Sequence, residues 1–211
     1  LCAFDPHAKD ERGNALMATS FSAFPFNVRA NGRAMAMAGI SVVGTRPEYR
    51  RRGLVRKIMT QAFAEQRDRG QSLAGLWASQ AAIYQRYGFA PAGMNRGYAI
   101  DTADLEFLAS PSEMPIAVSR HRPGPVLDAI RETYKQFIAQ RTGYLHRGKA
   151  TWLNALLSEE GSNAADGPVY VALVGSLEAP LGYAVYTLRA GQVAHLARPQ
   201  EIKIRDMAWL D

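Results

Sequence analysis

Three consecutive arginines run into a glycine at Arg50-Arg51-Arg52-Gly53, where a β-branched run (Ile40, Val42, Val43) gives way to a helical pattern. Side chains of these types at such a junction suit the binding of phosphate. A helix N-terminus presents unpaired backbone N–H groups and the positive end of the helix dipole. Gly53 lets backbone approach a ligand with no Cβ in the way. Guanidinium groups supply forked donors that match pairs of phosphate oxygens. The plainer alternative is a Gly-started helix beside a solvated arginine run. Further along, Ala78-Ser79-Gln80-Ala81-Ala82-Ile83-Tyr84-Gln85-Arg86-Tyr87-Gly88-Phe89 offers a second kind of chemistry. A phenol holds its proton at neutral pH and can donate it to a leaving group, which makes Tyr84 a candidate general acid. Otherwise Tyr84 is a core aromatic.

These residues need a scaffold of strands and one helix. Residues 14–30 read as strand plus turn, Asn31-Gly32 is a turn signal, and Arg33–Val43 reads as a second strand of the same hairpin. Pro47 breaks the strand. From Gly53 to Arg69, Leu54, Val55, Ile58, Met59, Ala62 and Phe63 recur at helical steps on one face, and Gly70 is a stop. Residues 72–78 are apolar almost throughout, as a strand covered on both faces should be. Ser79 caps a short helix over 80–87, and 94–101 reads as a further strand. This order predicts an α/β domain over 1–102 with some mixed pairing.

Residues 103–114 are expected to link this domain to a second one over 115–211. There Pro115–His121 reads as a strand, Pro125–Gln140 and Lys149–Leu157 as helices, and Val169–Val174, Leu181–Leu188 and Ile202–Leu210 as strands. The chain opens on Leu1 rather than Met and stops at the edge of its last strand, so truncation is expected at both ends.

Charge narrows the function classes. The chain of 211 residues carries a formal +6, and residues 1–102 hold 14 Lys/Arg against 7 Asp/Glu, while 103–211 hold 11 against 12. The basicity is one local feature, which suits a small anionic ligand at least as well as a polyanion. No aromatics interleave with Arg50–Arg52, which argues against nucleic acid. No apolar run reaches the roughly 18 residues that span a bilayer, so no membrane partner is expected. No basic-then-apolar leader is present, and a cytoplasmic location is expected. Cys2 is the single cysteine, and His7, His121, His146 and His195 have no metal-ligand spacing, so no metal is expected. Glu48 and Glu65 read as surface charges. Trp77 reads as core packing, with a wall of a binding pocket as the alternative.

Neither a Walker loop nor a dinucleotide fingerprint is present. Arg50-x-x-Gly53-x-Val55 instead resembles the pyrophosphate loop of the GCN5-related N-acetyltransferase (GNAT) superfamily, R/Q-x-x-G-x-G/A, with Val55 departing from the usual small last residue. A-x-x-Y-x-x-x-G-F over residues 81–89 resembles the same superfamily's second acetyl-CoA motif. Joined, RRRGL…ASQAAIYQRYGF resembles the enhanced intracellular survival (Eis) acetyltransferases. The resemblance covers about 34–100 in sequence and is only architectural over 115–211.

It implies a GNAT fold, a mixed central sheet with flanking helices, followed by part of a second, non-catalytic GNAT-like domain. It implies acetyl-CoA as acetyl donor and a primary amine of a small molecule or lysine side chain as acceptor, attacking directly. Backbone at Val43, Gly44 and Thr45 would hold the pantetheine arm, on parallel strands splayed over 38–45 and 72–78. The amides of Arg51, Arg52, Gly53, Leu54, Val55 and Arg56 would hold the pyrophosphate, with charge added by Arg50, Arg51 and Arg52. Ser79 and Gln80 would border the reactive end, and Tyr84 would be the general acid to the coenzyme A thiolate. The general base in the Eis group is a C-terminal carboxylate, expected beyond this chain. The first strand and helices of the catalytic domain are expected before Leu1. The intact protein is expected to be a homo-oligomer. The alternative function is a coenzyme A-binding GNAT-like module without catalytic activity.

Overall fold

A computed structural model describes residues 1–101, 106, 116–159, 167–189, 192–193, 196–197 and 201–210. They fall into two compact units, one of Leu1–Val28 and Arg33–Leu105, the other of Arg29–Gly32 and Glu106–Asp211. The expected linker 103–114, apart from Glu106, lies outside the described residues, as do His195 and Asp211.

In the first unit the elements are β1 (Cys2–Lys9), β2 (Ala15–Ala30), β3 (Arg33–Thr45), a single 3-10 turn (Pro47–Tyr49), α1 (Leu54–Asp68), β4 (Leu73–Leu76) and α2 (Ala82–Gln85). The sheet order is β1-β2-β3-β4. Asn31 and Gly32, both at positive φ (49° and 76°), turn β2 into β3 in the geometry that matches strand twist. β3 and β4 pair in parallel, which requires a crossover, and α1 supplies it. The helical face read from sequence is the buried one: Ile58, Met59 and Ala62 join Phe21 and Ile40 in one core cluster. Phe63, Tyr84, Tyr87 and Phe89 pack against that cluster from its rim.

Three features differ from the sequence reading. The short helix expected over 80–87 with Ser79 as its cap is α2, Ala82–Gln85, with Ala81 at its N-cap and no side-chain cap. β1 forms where the sequence shows no strand pattern. It tolerates Pro6 because it lies at the sheet edge, and its pairing with β2 breaks register between Asp5 and Lys9. Conversely, the strand expected over 94–101 does not form. Residues 90–101 are neither helix nor strand, and Met94, Tyr98 and Ile100 are exposed. A strand needs a neighbour to take its backbone hydrogen bonds. No strand among the described residues pairs with this segment, and Pro91, Gly93 and Gly97 weaken its own preference for extended structure.

The second unit has β5 (Val118–His121), α3 (Pro123–Ile138), α4 (Lys149–Thr151), which runs on as a wider π turn over Trp152–Leu156, and then β6 (Val169–Gly175), β7 (Pro180–Arg189), β8 (Gln192–Val193), β9 (Leu196–Ala197) and β10 (Glu201–Trp209). The helix predicted over 149–157 is thus split into two geometries. An antiparallel sheet of order β10-β7-β6-β5 buries Val169, Val171, Leu173 and Val185 against Val126, Ile130, Tyr134 and Phe137 of α3. Arg147 bridges to both oxygens of Asp206 at 2.7 and 3.0 Å, and the Tyr183 hydroxyl donates to the same carboxylate at 2.8 Å. Burial is the largest single influence and works against the Arg147 charge, but the hydrogen bond and charge of Asp206, with smaller contributions from Tyr134 and Tyr183, together hold the guanidinium above its ordinary pKa. Removing one partner of so enclosed a pair leaves the other unpaired, which is why it fixes β10 to the Arg147 segment.

Met59 is fully buried whereas Met94 is 82% exposed. Met59→Ala should lower the free energy of unfolding by about 2–5 kcal/mol. Met94→Ala should change it by no more than about 0.5 kcal/mol. Urea denaturation of both variants distinguishes the buried helix face from the segment that forms no strand.

Candidate functional site

The site begins where two parallel strands part. Pairing between β3 and β4 ends at Ile40 opposite Leu76, yet β3 continues to Thr45. Over 41–45 the edge of β3 that faced β4 is therefore free of that partner. Val42 sits at φ 54°, a region β-branched residues rarely enter. Its carbonyl accepts from Ser20 Oγ at 2.9 Å, which ties this irregular residue to β2. Thr45 Oγ1 lies 2.9 Å from Oγ1 of the buried Thr19, and the Arg46 N–H donates to the Ala18 carbonyl at 3.0 Å. β2 thus holds the end of β3 in place without help from β4.

The basic loop follows immediately. The Tyr49 N–H donates to the Arg46 carbonyl and the Arg50 N–H to that of Pro47, closing the single turn. Arg51 (φ 61°) and Gly53 (φ 73°) are both left-handed, and Gly53 caps α1 with no side-chain hydrogen bond. The first-turn amides of α1 are therefore free of a side-chain cap. A Cβ on Gly53 would meet nothing within 4 Å, so glycine is required there by backbone angle rather than by space.

The Tyr49 hydroxyl donates to Asp5 Oδ2 at 2.7 Å, and the Arg52 guanidinium lies 5.0 Å from the Tyr49 ring centre. Tyr49 so joins β1 to the loop. Its hydrogen bond, followed by that from the His7 N–H, lowers the Asp5 pKa, and the same bond raises the pKa of Tyr49. Glu48, the acid nearest in sequence, is engaged by Arg46 at 2.8 Å, and that bond holds its carboxyl below the ordinary range. Both Glu48 and Glu65 are in surface pairs, the latter with Arg69.

An open cavity of about 490 Å³ is lined by Thr45, Tyr49, Arg50, Arg51, Gly53, Leu54, Val55, Arg56, Arg86 and Tyr87. It gathers Thr45 with most of the predicted loop. It does not gather Val43, which packs on the core cluster, or Gly44, or Arg52, which stands over Tyr49. Ser79 and Gln80 are exposed in the turn after β4. Tyr84 is half-buried, with its ring edge-on to Phe89 at 5.9 Å and its carbonyl accepting from the Tyr87 N–H at 2.9 Å. Trp77 is 78% exposed, so the core-packing expectation is overturned.

Cys2 is exposed, and the Ser119 hydroxyl lies 2.8 Å from His121 Nε2. Among the described residues no group of three His, Cys, Asp or Glu could hold a metal ion, and no helix is long and apolar enough to cross a membrane.

Three lining residues were not singled out from sequence, Tyr49, Arg86 and Tyr87, and neither was Asp5, which accepts the hydrogen bond of the Tyr49 hydroxyl. Arg86 and Tyr87 lie inside the A-x-x-Y-x-x-x-G-F segment and could have been read as its variable positions. Nothing local links Asp5 to Tyr49.

The four arginines that line this cavity, with no carboxylate among its walls, and the uncapped helix end fit a ligand carrying several phosphate charges. Residues 8–92 match the family model of the acetyltransferase (GNAT) domain. The chain is 28% identical over 182 residues to an uncharacterized N-acetyltransferase of Streptomyces coelicolor, covering 86% of this chain and 44% of that protein. It is 29% identical over 174 residues to the N-acetyltransferase Eis of Mycobacterium tuberculosis, covering 79% and 40%. The crystal structure of Eis1 from Mycobacterium abscessus superposes with a TM-score of 0.67 at 21% identity, over 95% of this chain and 48% of that one. That likeness is one of fold. The chain spans less than half the length of each of these proteins.

Replacing Tyr49 by Phe removes the bond to Asp5 and keeps the ring under Arg52. Because that bond lowers the Asp5 pKa in the folded state, its contribution is present above the ordinary aspartate pKa of about 3.9 and fades as pH falls through the lowered value. In a carbon-detected NMR titration, the Asp5 midpoint should rise toward that ordinary value in Tyr49→Phe. An unchanged midpoint would remove Tyr49 as the cause.

Proposed function

We propose that this chain, whose residues 8–92 match the acetyltransferase (GNAT) domain model, is the acetyl-CoA-binding part of an N-acetyltransferase acting on a primary amine of a small molecule or a lysine side chain. The observation that carries the reading is the juxtaposition of a four-arginine cavity at the uncapped N-terminus of α1 with the unpaired end of β3. The thioester supplies an activated acyl carbon: the amine nitrogen bonds to it, and the carbon–sulfur bond breaks.

The protein's own residues divide the remaining tasks. Arg50, Arg51 and Arg56 neutralise phosphate charge, while the amides of Gly53, Leu54, Val55 and Arg56 point their N–H groups toward it. The β3 backbone at Val43, Gly44 and Thr45 offers peptide groups to an extended amide-bearing arm, as a strand edge does to any peptide-like partner. Backbone N–H there also serves to polarise the thioester oxygen. Ser79 and Gln80 border the reactive end.

Tyr84 donates its phenolic proton, or a strong hydrogen bond, to the departing thiolate sulfur. Its packing on Phe89 and the α1 core fixes the ring, which is what an acid of this kind requires. The proton lost by the amine passes to a base that none of these residues provides. The reading extends, on the Eis resemblance alone, to a cytoplasmic homo-oligomer.

Calorimetric titration of acetyl-CoA tests the binding half. The wild-type protein should bind saturably, and the double variant Arg50→Ala, Arg51→Ala should bind at least 10-fold more weakly, the scale of one or two charge-assisted contacts. A folded wild-type protein that fails to bind would remove the donor. Steady-state acetyl transfer tests the acid. Tyr84→Phe should lose roughly 100-fold or more in kcat with donor affinity retained, whereas Tyr87→Phe should keep most of its turnover. Full turnover by Tyr84→Phe would take the role away from that residue. Donor binding with no transfer to any amine would leave a coenzyme A-binding module.

A further inference from the structure

The cavity holds one cation that the loop does not explain. Arg50, Arg51 and Arg56 come from the loop and the first turn of α1, but Arg86 comes from the residue that ends α2, on a different element. Arg86 is exposed and has no ion-pair partner among the described residues. No acid lines the cavity to balance it. Like charges gathered around one space without a counter-ion are unfavourable, so the arrangement makes sense when anionic charge fills it.

The number of charges is informative. A diphosphate linkage carries about two negative charges, and a terminal phosphate monoester adds about 1.5 to 2 more at neutral pH. Loop arginines together with helix amides suffice for the diphosphate. The fourth guanidinium, set on a separate element of the same cavity, is matched to a second anionic centre apart from the first.

We infer that Arg86 is a specificity-determining residue that recognises the 3′-phosphate of coenzyme A, so that this site discriminates the complete cofactor from its 3′-dephosphorylated form. The inference rests on the acetyl-CoA reading given above. Arg86 contributes a forked pair of donors to the monoester oxygens, a match that lysine reproduces in charge but not in geometry.

Two ligands and three proteins test it. Coenzyme A and 3′-dephospho-coenzyme A are titrated calorimetrically into wild type, Arg86→Ala and Arg86→Lys, with circular dichroism as the check on folding. Wild type should prefer coenzyme A by roughly 10-fold or more, the scale of one charge-assisted contact at an exposed site. Arg86→Ala should lose that preference by weakening coenzyme A alone, leaving dephospho-coenzyme A binding within about twofold of wild type. Arg86→Lys should recover part of the preference, and raised salt should diminish it.

Equal weakening of both ligands in Arg86→Ala would place the residue on a part they share and overturn the inference. So would a wild type that binds the two ligands equally. A wild type that binds neither refutes the acetyl-CoA reading itself, which is a different result from either of these.

Discussion

The separation of β3 from β4 after Ile40 and Leu76 is the constraint on which the rest of the first unit depends. A parallel pair that stayed in register would bond every peptide group of β3 on that side and leave nothing for a ligand. β3 can leave its partner only because β2 holds its far end from the other side. The Ser20 hydroxyl takes the carbonyl of Val42, Thr19 meets Thr45, and the Ala18 carbonyl takes the Arg46 N–H. The positive φ of Val42 is an unfavourable conformation for a β-branched side chain and persists because these contacts over-determine it. β4, by contrast, is four residues long and ends where the opening begins.

From that opening the electrostatics follow. The strand delivers the chain to a single turn, the turn to two left-handed residues, and those to the start of α1, so that side-chain cations and helix amides converge on one space. The two nearby acids do not line the cavity and are engaged by other groups. Glu48 is bound by Arg46, and Asp5 by the hydroxyl of Tyr49. Both bonds favour the ionised carboxylates, so the acids remain charged but occupied. The local excess of positive charge read from composition is therefore also a positively lined cavity in space.

How much of this was legible in sequence depended on the range of the interactions. α1 was readable because its core positions Ile58, Met59 and Ala62 repeat at helical spacing and its ends are marked by Gly53 and Gly70. The hairpin was readable because Asn31-Gly32 encodes its own backbone angles. β1 was not, since an edge strand interrupted by Pro6 has little pattern of its own and exists through pairing with β2. The same principle applies over 94–101: a plausible strand sequence remains without strand structure where none of the described strands pairs with it. In the site, the loop arginines were visible as a run, whereas the Asp5–Tyr49 bond joins residues 44 apart in the chain, and no local signal marks it.

On the reading proposed above, the site has two chemical demands, and the strand lies between them. Phosphate binding needs a concentration of positive charge, while the proposed acid needs a fixed ring. Arg50, Arg51, Arg56 and Arg86 line the cavity with Tyr87, and Tyr84 is not among its walls, being held instead on Phe89 and the α1 core. The free stretch of β3 from 41 to 45 is about 15 Å long at the usual rise of a strand, an extended track leading away from the arginine cluster. A donor with its charge at one end and its reactive group at the other is the kind of ligand that such a separation suits. On that same reading, the five-residue overrun of β3 past β4 would both open the site and match the arm that separates the ligand's charge from its reactive group.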